Sequence, residues 1–306
     1  MDWSSKSLGS RLQHQIFYLL VRCRLLGVAR ALLVCVVFYY TLLPSVRSRA
    51  VPYLSRRFPQ DTGFARWRHC MRLYLCFAQG LLDRTIAGIL GTQYIYAEPV
   101  TQQQFHNSIP QDTGCIILTA HIGAWQLGIS CIEPLQRPIN IVQWVHPEDK
   151  DKHYFQHNNE LGKHNIRIIN SRDDADTTLK IVTALRKKEL LCITGDRITS
   201  AAENSVPVSF MGGTVHMPTT AFVLASLAQV PLVIAFTLRH NAAIKGFFVQ
   251  KLDIPHNLRR DPAALRERVQ YFATAMEQMV HDYPYHFFNF FDMWSHDDTQ
   301  GMPRQA

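Results

Sequence analysis

Charged side chains are scarce in this 306-residue sequence, because Asp, Glu, Lys and Arg together make up only 18% of it, against about 25% in an average soluble protein. Apolar residues make up 47%, which excludes a disordered, collagen-like or acidic solvating protein. The seven cysteines include no CxxC pair and lie in apolar runs. They indicate buried thiols in a reducing compartment, with neither a zinc site nor a disulfide framework.

Several catalytic signatures are also missing. The sequence contains no GxGxxG, GxxxxGK[ST], GxSxG or HExxH motif and no protein-kinase motif set. Nucleotide-binding, serine-hydrolase and zinc-protease functions therefore have no motif to support them.

The positive charge is concentrated near the start of the chain. The formal net charge is +8 overall, but residues 1–72 carry +10 and the remainder carries −2. The arginines alternate with apolar and aromatic residues instead of forming a polar face, and no nucleic-acid-binding motif is present. This pattern argues against nucleic-acid binding and favours a membrane surface.

One long apolar run lies inside this basic region. Residues 16–43 are almost entirely apolar, and Arg30 is the only charged residue within 25–43. Basic residues flank the run on both sides, which fits a helix lying in or dipping into the cytoplasmic leaflet better than a membrane span of defined orientation. The alternatives are a buried core helix and a cleaved signal peptide, the latter disfavoured because no cleavage-site pattern follows.

A second apolar stretch, residues 73–90, has helical spacing and is expected to pack on the first or to extend the membrane face. A segment rich in Gln, Pro and Asn follows at 98–114 and is expected to be a loop near a domain boundary. We therefore expect a basic, apolar, helical membrane-association region at 1–95 and an α/β domain at 96–306.

Short β-branched runs alternate with helical patterns after residue 114, which predicts an α/β fold with a mostly parallel mixed sheet flanked by helices. The predicted strands are 115–120, 139–145, 166–170, 190–195, 231–239 and 247–254. The predicted helices are 123–135, 149–163, 175–188, 218–228 and 261–282. The pair of glycines after Met211 predicts a tight turn. In such sheets the active site lies at the carboxyl ends of the strands.

His121 follows the first predicted strand of this domain directly. Gln126 is expected in the first turn of the next helix, within reach of the imidazole. A histidine held through one ring nitrogen is a suitable general base for a hydroxyl, although an ordinary structural histidine fits the same spacing. Asp196 and Arg197, which follow another predicted strand, are either a structural ion pair or a site in which the guanidinium contacts phosphate.

Five blocks resemble one known family in their order along the chain. They read ILTAHIGAWQLG (117–128), ITGDR (193–197), VPVSFMGGTVHMPTTAFVLA (206–225), QVPLVIAF (229–236) and YPYHFFNFFDMW (283–294). Together they resemble the bacterial lipid A biosynthesis acyltransferase family, within the lysophospholipid acyltransferase superfamily. The basic, apolar N-terminal region resembles the membrane anchor of that family.

The resemblance implies a membrane-associated acyltransferase on the cytoplasmic face of a bacterial inner membrane, and hence a part in glycolipid biosynthesis. It implies an acyl thioester donor, either acyl carrier protein or coenzyme A, a lipid or glycolipid acceptor, and no cofactor or metal. The implied catalytic residues are His121 and Gln126. The implied substrate-binding residues are Asp196, Arg197, Gly123 and Trp125.

The sequence departs from the family pattern at Gln126, where the family has an acidic residue. An amide can orient the imidazole but cannot stabilise its charged form as a carboxylate does. Three possibilities follow: Gln126 orients His121 in an active enzyme, another acid such as Asp196 or Glu133 supplies the charge, or the protein is an inactive relative that binds lipid or forms complexes. A soluble α/β hydrolase or thioesterase is a further alternative, disfavoured by the missing nucleophile motif.

The aromatic residues of 283–294 have two interpretations. They pack in the core, or they line a channel for an acyl chain, and the sequence does not separate the two.

Overall fold

The computed structural model describes residues 11–91, 94, 96–132, 135–143, 166–170, 176–198, 204–240 and 243–294. Four helices form its N-terminal part: α1 (Arg11–Arg22), α2 (Leu26–Leu42), α3 (Pro44–Arg57) and α4 (Gly63–Leu90). α4 packs against both α1 and α2, so the predicted contact between the two apolar stretches is confirmed.

The apolar run at 16–43 is not one helix. Arg24 adopts a left-handed conformation at φ 58° between α1 and α2, and Pro44 begins α3 at the N-terminal position that proline tolerates. α2 and α3 meet at an angle of 87°. With 17 residues, α2 is about 26 Å long, shorter than the roughly 30 Å of a bilayer's hydrocarbon core.

α4 is the one helix among the described residues that has the length and apolar composition to cross a membrane by itself. The bent pair α2 and α3 passes the same test when the two are taken together. Because 39% of the most apolar window of α4 is buried inside the protein, the helix also serves as a packing surface for the rest of the chain.

A seven-stranded sheet forms the centre of the remainder, in the order β1-β9-β8-β2-β5-β3-β4. Its strands are β1 (Tyr96–Ala97), β2 (Cys115–Thr119), β3 (Ile139–Gln143), β4 (Ile166–Asn170), β5 (Leu190–Thr194), β8 (Leu232–His240) and β9 (Ala243–Leu252). Strands β8, β2, β5, β3 and β4 run parallel, and β9 pairs antiparallel with β8.

The mostly parallel mixed sheet and its six predicted strands are thus confirmed. The accompanying helices are α5 (Pro99–Ser108), α6 (Ile129–Ile132), α7 (Asp176–Arg186), α8 (Thr220–Ala228) and α9 (Pro262–Asp282). The last three confirm the predicted helices at 175–188, 218–228 and 261–282. The predicted helix at 149–163 lies outside the described residues.

Two predictions about local structure are wrong. Residues 123–128 form successive turns before the four-residue α6, because their amides bond to distant carbonyls: Gly123 N donates to His286 O and Ala124 N to Thr237 O, each at 2.7 Å. The predicted loop at 98–114 contains α5 instead. Pro99 begins that helix, where its missing N–H costs nothing, and its buried face comes from Thr101 and Phe105.

A two-stranded antiparallel hairpin, β6 (Ser205–Phe210) and β7 (Gly213–Pro218), was not predicted. The turn that joins its two strands was predicted, and Met211 at φ 50° and Gly212 at φ 71° form the tight connection expected there. The hairpin packs against α9.

We call residues 284–294 the C-terminal strap. Phe287, Phe288 and Trp294 are buried within the main hydrophobic core, which extends from α2, α3 and α4 through the sheet to α9. Tyr53 of α3 donates to Pro284 O, and Trp294 Nε1 donates to Phe210 O at 2.9 Å. The strap therefore joins the N-terminal helices, the hairpin and the sheet.

Candidate active site

His121 and Asp196 meet because of the sheet's register. β2 and β5 are neighbouring parallel strands that end level with each other, with Thr119 paired to Thr194. His121 and Asp196 each lie two residues beyond these paired ends. Two side chains far apart in sequence are therefore placed side by side at the carboxyl edge of the sheet, where ligands bind in folds of this class.

The carboxylate of Asp196 holds both the ring and the backbone of His121. Nδ1 lies 2.9 Å from Oδ1 and 3.0 Å from Oδ2, and the His121 amide donates to Oδ2 at 3.2 Å. An ionised carboxylate only accepts hydrogen bonds, so Nδ1 carries the proton. The lone pair of a neutral His121 is then on Nε2, the tautomer required of a general base.

The electrostatics of the pair favour a neutral imidazole beside a charged carboxylate. Burial lowers the pKa of His121, and the nearby Arg197 lowers it further, against the raising effect of Asp196. Burial raises the pKa of Asp196, but His121 and Arg197 outweigh it, and the net pKa lies below its ordinary value. Near neutral pH, His121 is therefore available to accept a proton.

Arg197 is directed into the protein. Its Nη2 donates to Phe288 O, its Nε lies 3.7 Å from Asp196 Oδ2, and its guanidinium carbon lies 5.5 Å from the centre of the Phe291 ring. Only 13% of the side chain is exposed. These contacts place Arg197 where it holds the strap and affects the charge of His121, and its contact with a substrate phosphate stays a prediction.

The strap also fixes the loop that carries His121. Phe288 N donates to His121 O at 2.9 Å, and Ile122 forms an isolated antiparallel bridge with Phe287. Gly123, with φ 59°, turns the chain sharply between the strap and β8. Its amide is already bonded to His286 O, so a direct contact between Gly123 and substrate would have to involve atoms other than N–H.

Gln126 does not contact the imidazole as the sequence suggested. Its Oε1 accepts a hydrogen bond of 3.1 Å from Arg84 Nη1 of α4, and Asp196 takes the position on Nδ1. Trp125 lies beside His121, and the centroids of the two rings are 5.2 Å apart. The centroid of the Trp125 ring lies 5.8 Å from that of the Phe288 ring. The second acid that the sequence offered, Glu133, lies outside the described residues.

Of the residues singled out from the sequence, His121, Asp196, Arg197, Gly123 and Trp125 are thus close together, and Gln126 lies in the turns after His121, bonded to Arg84 of α4. The strap residue Phe288, whose two backbone groups bond to His121 and Arg197, was not identified as part of the site. The dense aromatic run at 283–294 was the available signal, but an aromatic run does not reveal which backbone groups it presents.

One comparison with known proteins found a match that covers the candidate active site. A family model described as bacterial lipid A biosynthesis acyltransferase matches residues 96–295. No curated protein matches the chain. The matched range includes His121, Asp196 and the whole of the strap.

Proposed function

Because the chain belongs to the bacterial lipid A biosynthesis acyltransferase family, we propose that it transfers a fatty acyl group from a thioester donor to a hydroxyl or amine of a glycolipid or related amphiphile. The family catalyses acyl transfer. The donor is acyl carrier protein or acyl-coenzyme A, and His121 is the general base. The observation that carries this assignment is the 2.9 Å hydrogen bond between His121 Nδ1 and the buried carboxylate of Asp196.

The proposed reaction begins when Nε2 of His121 takes the proton from the acceptor hydroxyl or amine as that atom attacks the thioester carbonyl. The tetrahedral intermediate then expels the thiolate, and the imidazolium returns its proton to the sulfur. Asp196 keeps the ring oriented and stabilises the imidazolium between these two steps. The acyl group is activated by the thioester itself, so the scheme requires no cofactor.

Exposed apolar side chains support a place on the inner membrane's cytoplasmic face. Many lie on α1, α2, α3 and the start of α4, or directly before α2: Leu12, Ile16, Leu19, Leu25, Val28, Val34, Phe38, Tyr39, Leu42, Val51 and Phe64. A soluble protein rarely exposes so many on one group of helices. Together with the arginines of residues 1–72, they fit helices that lie at an anionic lipid surface.

The function is tested by incubating the purified full-length chain with acyl carrier protein or coenzyme A thioesters and a lipid extract. We expect mass spectrometry to find a lipid heavier by one acyl group, and to find that lipid missing from a deletion strain and restored by complementation. Release of free fatty acid alone would indicate a thioesterase and contradict the proposal.

The remaining alternative is an inactive relative that binds lipid or forms complexes, and Gln126 is the feature that suggested it. This interpretation assumes that the carboxylate that orients His121 has to come from position 126. Asp196 already provides a carboxylate on Nδ1, so the departure at Gln126 leaves the proposed base with an orienting acid.

The variant Gln126→Glu separates these interpretations. We expect it to change the turnover number by less than about three-fold, because the new carboxylate would pair with the partly buried Arg84 that already donates to Oε1 of Gln126, and an ion pair that keeps contact with solvent contributes about 1 kcal/mol or less. Steady-state acyl transfer, with Gln126→Ala as the comparison, measures this. Activity appearing only in Gln126→Glu would show that the natural protein is the inactive relative.

A further inference from the structure

A cavity of about 470 Å³ lies between the N-terminal helices and the carboxyl edge of the sheet. α2 and α4 form one wall, and the turns after β2, the end of β8 and the strap form the other. Its lining is mixed in polarity, and its charged side chains are Arg30, Asp83 and Arg239. Such a lining suits a polar headgroup better than a fatty acyl chain.

The charges around the cavity do not balance. Asp83 of α4, which is 3% exposed, forms an ion pair with Arg239. No ion pair or hydrogen bond joins the Arg30 side chain to any other described residue. Burial lowers the pKa of His286, so this histidine, which also lines the cavity, adds no charge near neutral pH. One positive charge therefore remains in excess.

The charge of Arg30 also acts on Arg239. The pKa of Arg239 is lowered first by burial and then by the charge of Arg30. Two guanidinium groups that repel each other across a cavity are relieved by an anion between them, and the planar guanidinium forks fit phosphate oxygens.

Arg30 is also unusual in the sequence, as the only charge within residues 25–43. Its side chain is exposed, and it is the one charged side chain of α2. Arg30 lines the cavity, so its charge can contact a ligand that is bound there.

The cavity adjoins the proposed active site. Gly123 and Phe288 both line it, and both belong to the loop and strap segments that position His121. A ligand anchored at the arginines would extend from this wall toward the imidazole.

We propose that this cavity binds a phosphate group of an amphiphilic substrate, with Arg30 and Arg239 as the phosphate ligands. The proposal rests on the proposed function and specifies its substrate as anionic. A phosphate could come from the headgroup of the acceptor or from the phosphopantetheine part of the donor, and both carry the same recognition chemistry.

Gly80 of α4 provides a direct way to fill the cavity. It lines the wall, and a Cβ added there meets no atom within 4 Å, so Gly80→Leu fills the cavity without a steric clash in the helix. Gly27 of α2 is the matched control, because it is also helical with nothing within 4 Å of an added Cβ and does not line the cavity.

The test is titration calorimetry on the full-length chain in a neutral detergent. One arm compares dihexanoyl phosphatidic acid with dihexanoylglycerol, and the other compares coenzyme A with pantetheine. We expect a phosphate ligand to bind at least about ten-fold more tightly than its uncharged counterpart, as charge-assisted hydrogen bonds allow. Arg30→Ala and Gly80→Leu should abolish that preference, and Gly27→Leu should keep it.

A preference confined to phosphatidic acid assigns the phosphate to the acceptor, and one confined to coenzyme A assigns it to the donor. The proposal is overturned if neither phosphate ligand is preferred, or if the preference survives in both Arg30→Ala and Gly80→Leu. Because binding is measured without turnover, failure here is distinct from failure of the acyltransferase assignment. Asp196→Asn should still show the phosphate preference even where it no longer transfers acyl groups.

Discussion

Replacing Asp196 with Asn lowers the turnover number of acyl transfer by an expected factor of about 10³–10⁴, as the corresponding acid-to-amide change does in serine proteases. The amide is the same size as the carboxylate but cannot stabilise the imidazolium, and it can bind the unwanted tautomer of His121. His121→Ala should lose at least as much. The double variant should lose no more than His121→Ala alone, because residues that act as a unit have non-additive effects.

The pH profile separates this role from a purely structural one. Asp196 raises the pKa of His121, so removing its charge lowers that pKa. A general base acts only when deprotonated, and the acid limb of kcat/KM in Asp196→Asn should therefore move to lower pH. Asp196 would be a structural residue only if the variant lost rate while the acid limb of its kcat/KM profile stayed at the same pH, or if its circular dichroism spectrum showed a loss of helix.

Replacing Gly123 with Ala should both destabilise the protein and disable the site. The residue has φ 59°, and an added Cβ would overlap Thr237 O and the Leu238 side chain. Left-handed backbone and a forced shift in a packed region each cost about 1–3 kcal/mol. Displacing the neighbouring His121 by about 1 Å should lower kcat/KM about 10²-fold.

Gly63→Ala is the matched control for this prediction. Gly63 has a similar backbone conformation, at φ 52°, but an added Cβ there meets nothing within 4 Å. It should lose only the backbone contribution of about 1–2 kcal/mol and keep full activity. Thermal unfolding and steady-state kinetics measure both variants, and equal losses in the two would show that the contact at Thr237 is unimportant.

Much of the sheet was predictable from local patterns. β2, β4 and β5 are short runs rich in β-branched and aliphatic residues, and their bounds agree with the predicted ones to within a residue. The helix α9 begins with a capping Asp261, whose side chain accepts from Ala264 N, and ends as its periodicity predicts. The position of His121 after a strand followed from the same local reasoning.

The pairing within the site was not predictable in the same way. The sequence interval between His121 and Gln126 indicated contact only if a helix followed the strand at once. The chain instead makes turns there, because Gly123 and Ala124 bond to the strap and to β8. Asp196 was a candidate, but its choice over Gln126 depended on β5 being the neighbour of β2, which is a property of strand order.

The same reasoning explains the error at α5. Gln, Asn and Pro are frequent in loops, and residues 98–114 are rich in them. Tertiary packing outweighs this preference, since Phe105 is 2% exposed and Thr101 Oγ1 accepts from Gly246 N of β9. The many Gln and Asn residues lie on the exposed face of α5, and their number does not reveal which residues form its buried face.

The C-terminal strap also has a consequence for biosynthesis. Residues 284–294 leave the ribosome after every strand of the sheet, and at about 5–20 residues per second the N-terminal helices precede them by many seconds. The loop of His121 lacks its bonds to His286 and Phe288 throughout that interval. The helices whose exposed apolar side chains fit a lipid surface are therefore complete before His121 is held in place, so the order of synthesis puts any contact of these helices with lipid ahead of the assembly of the site.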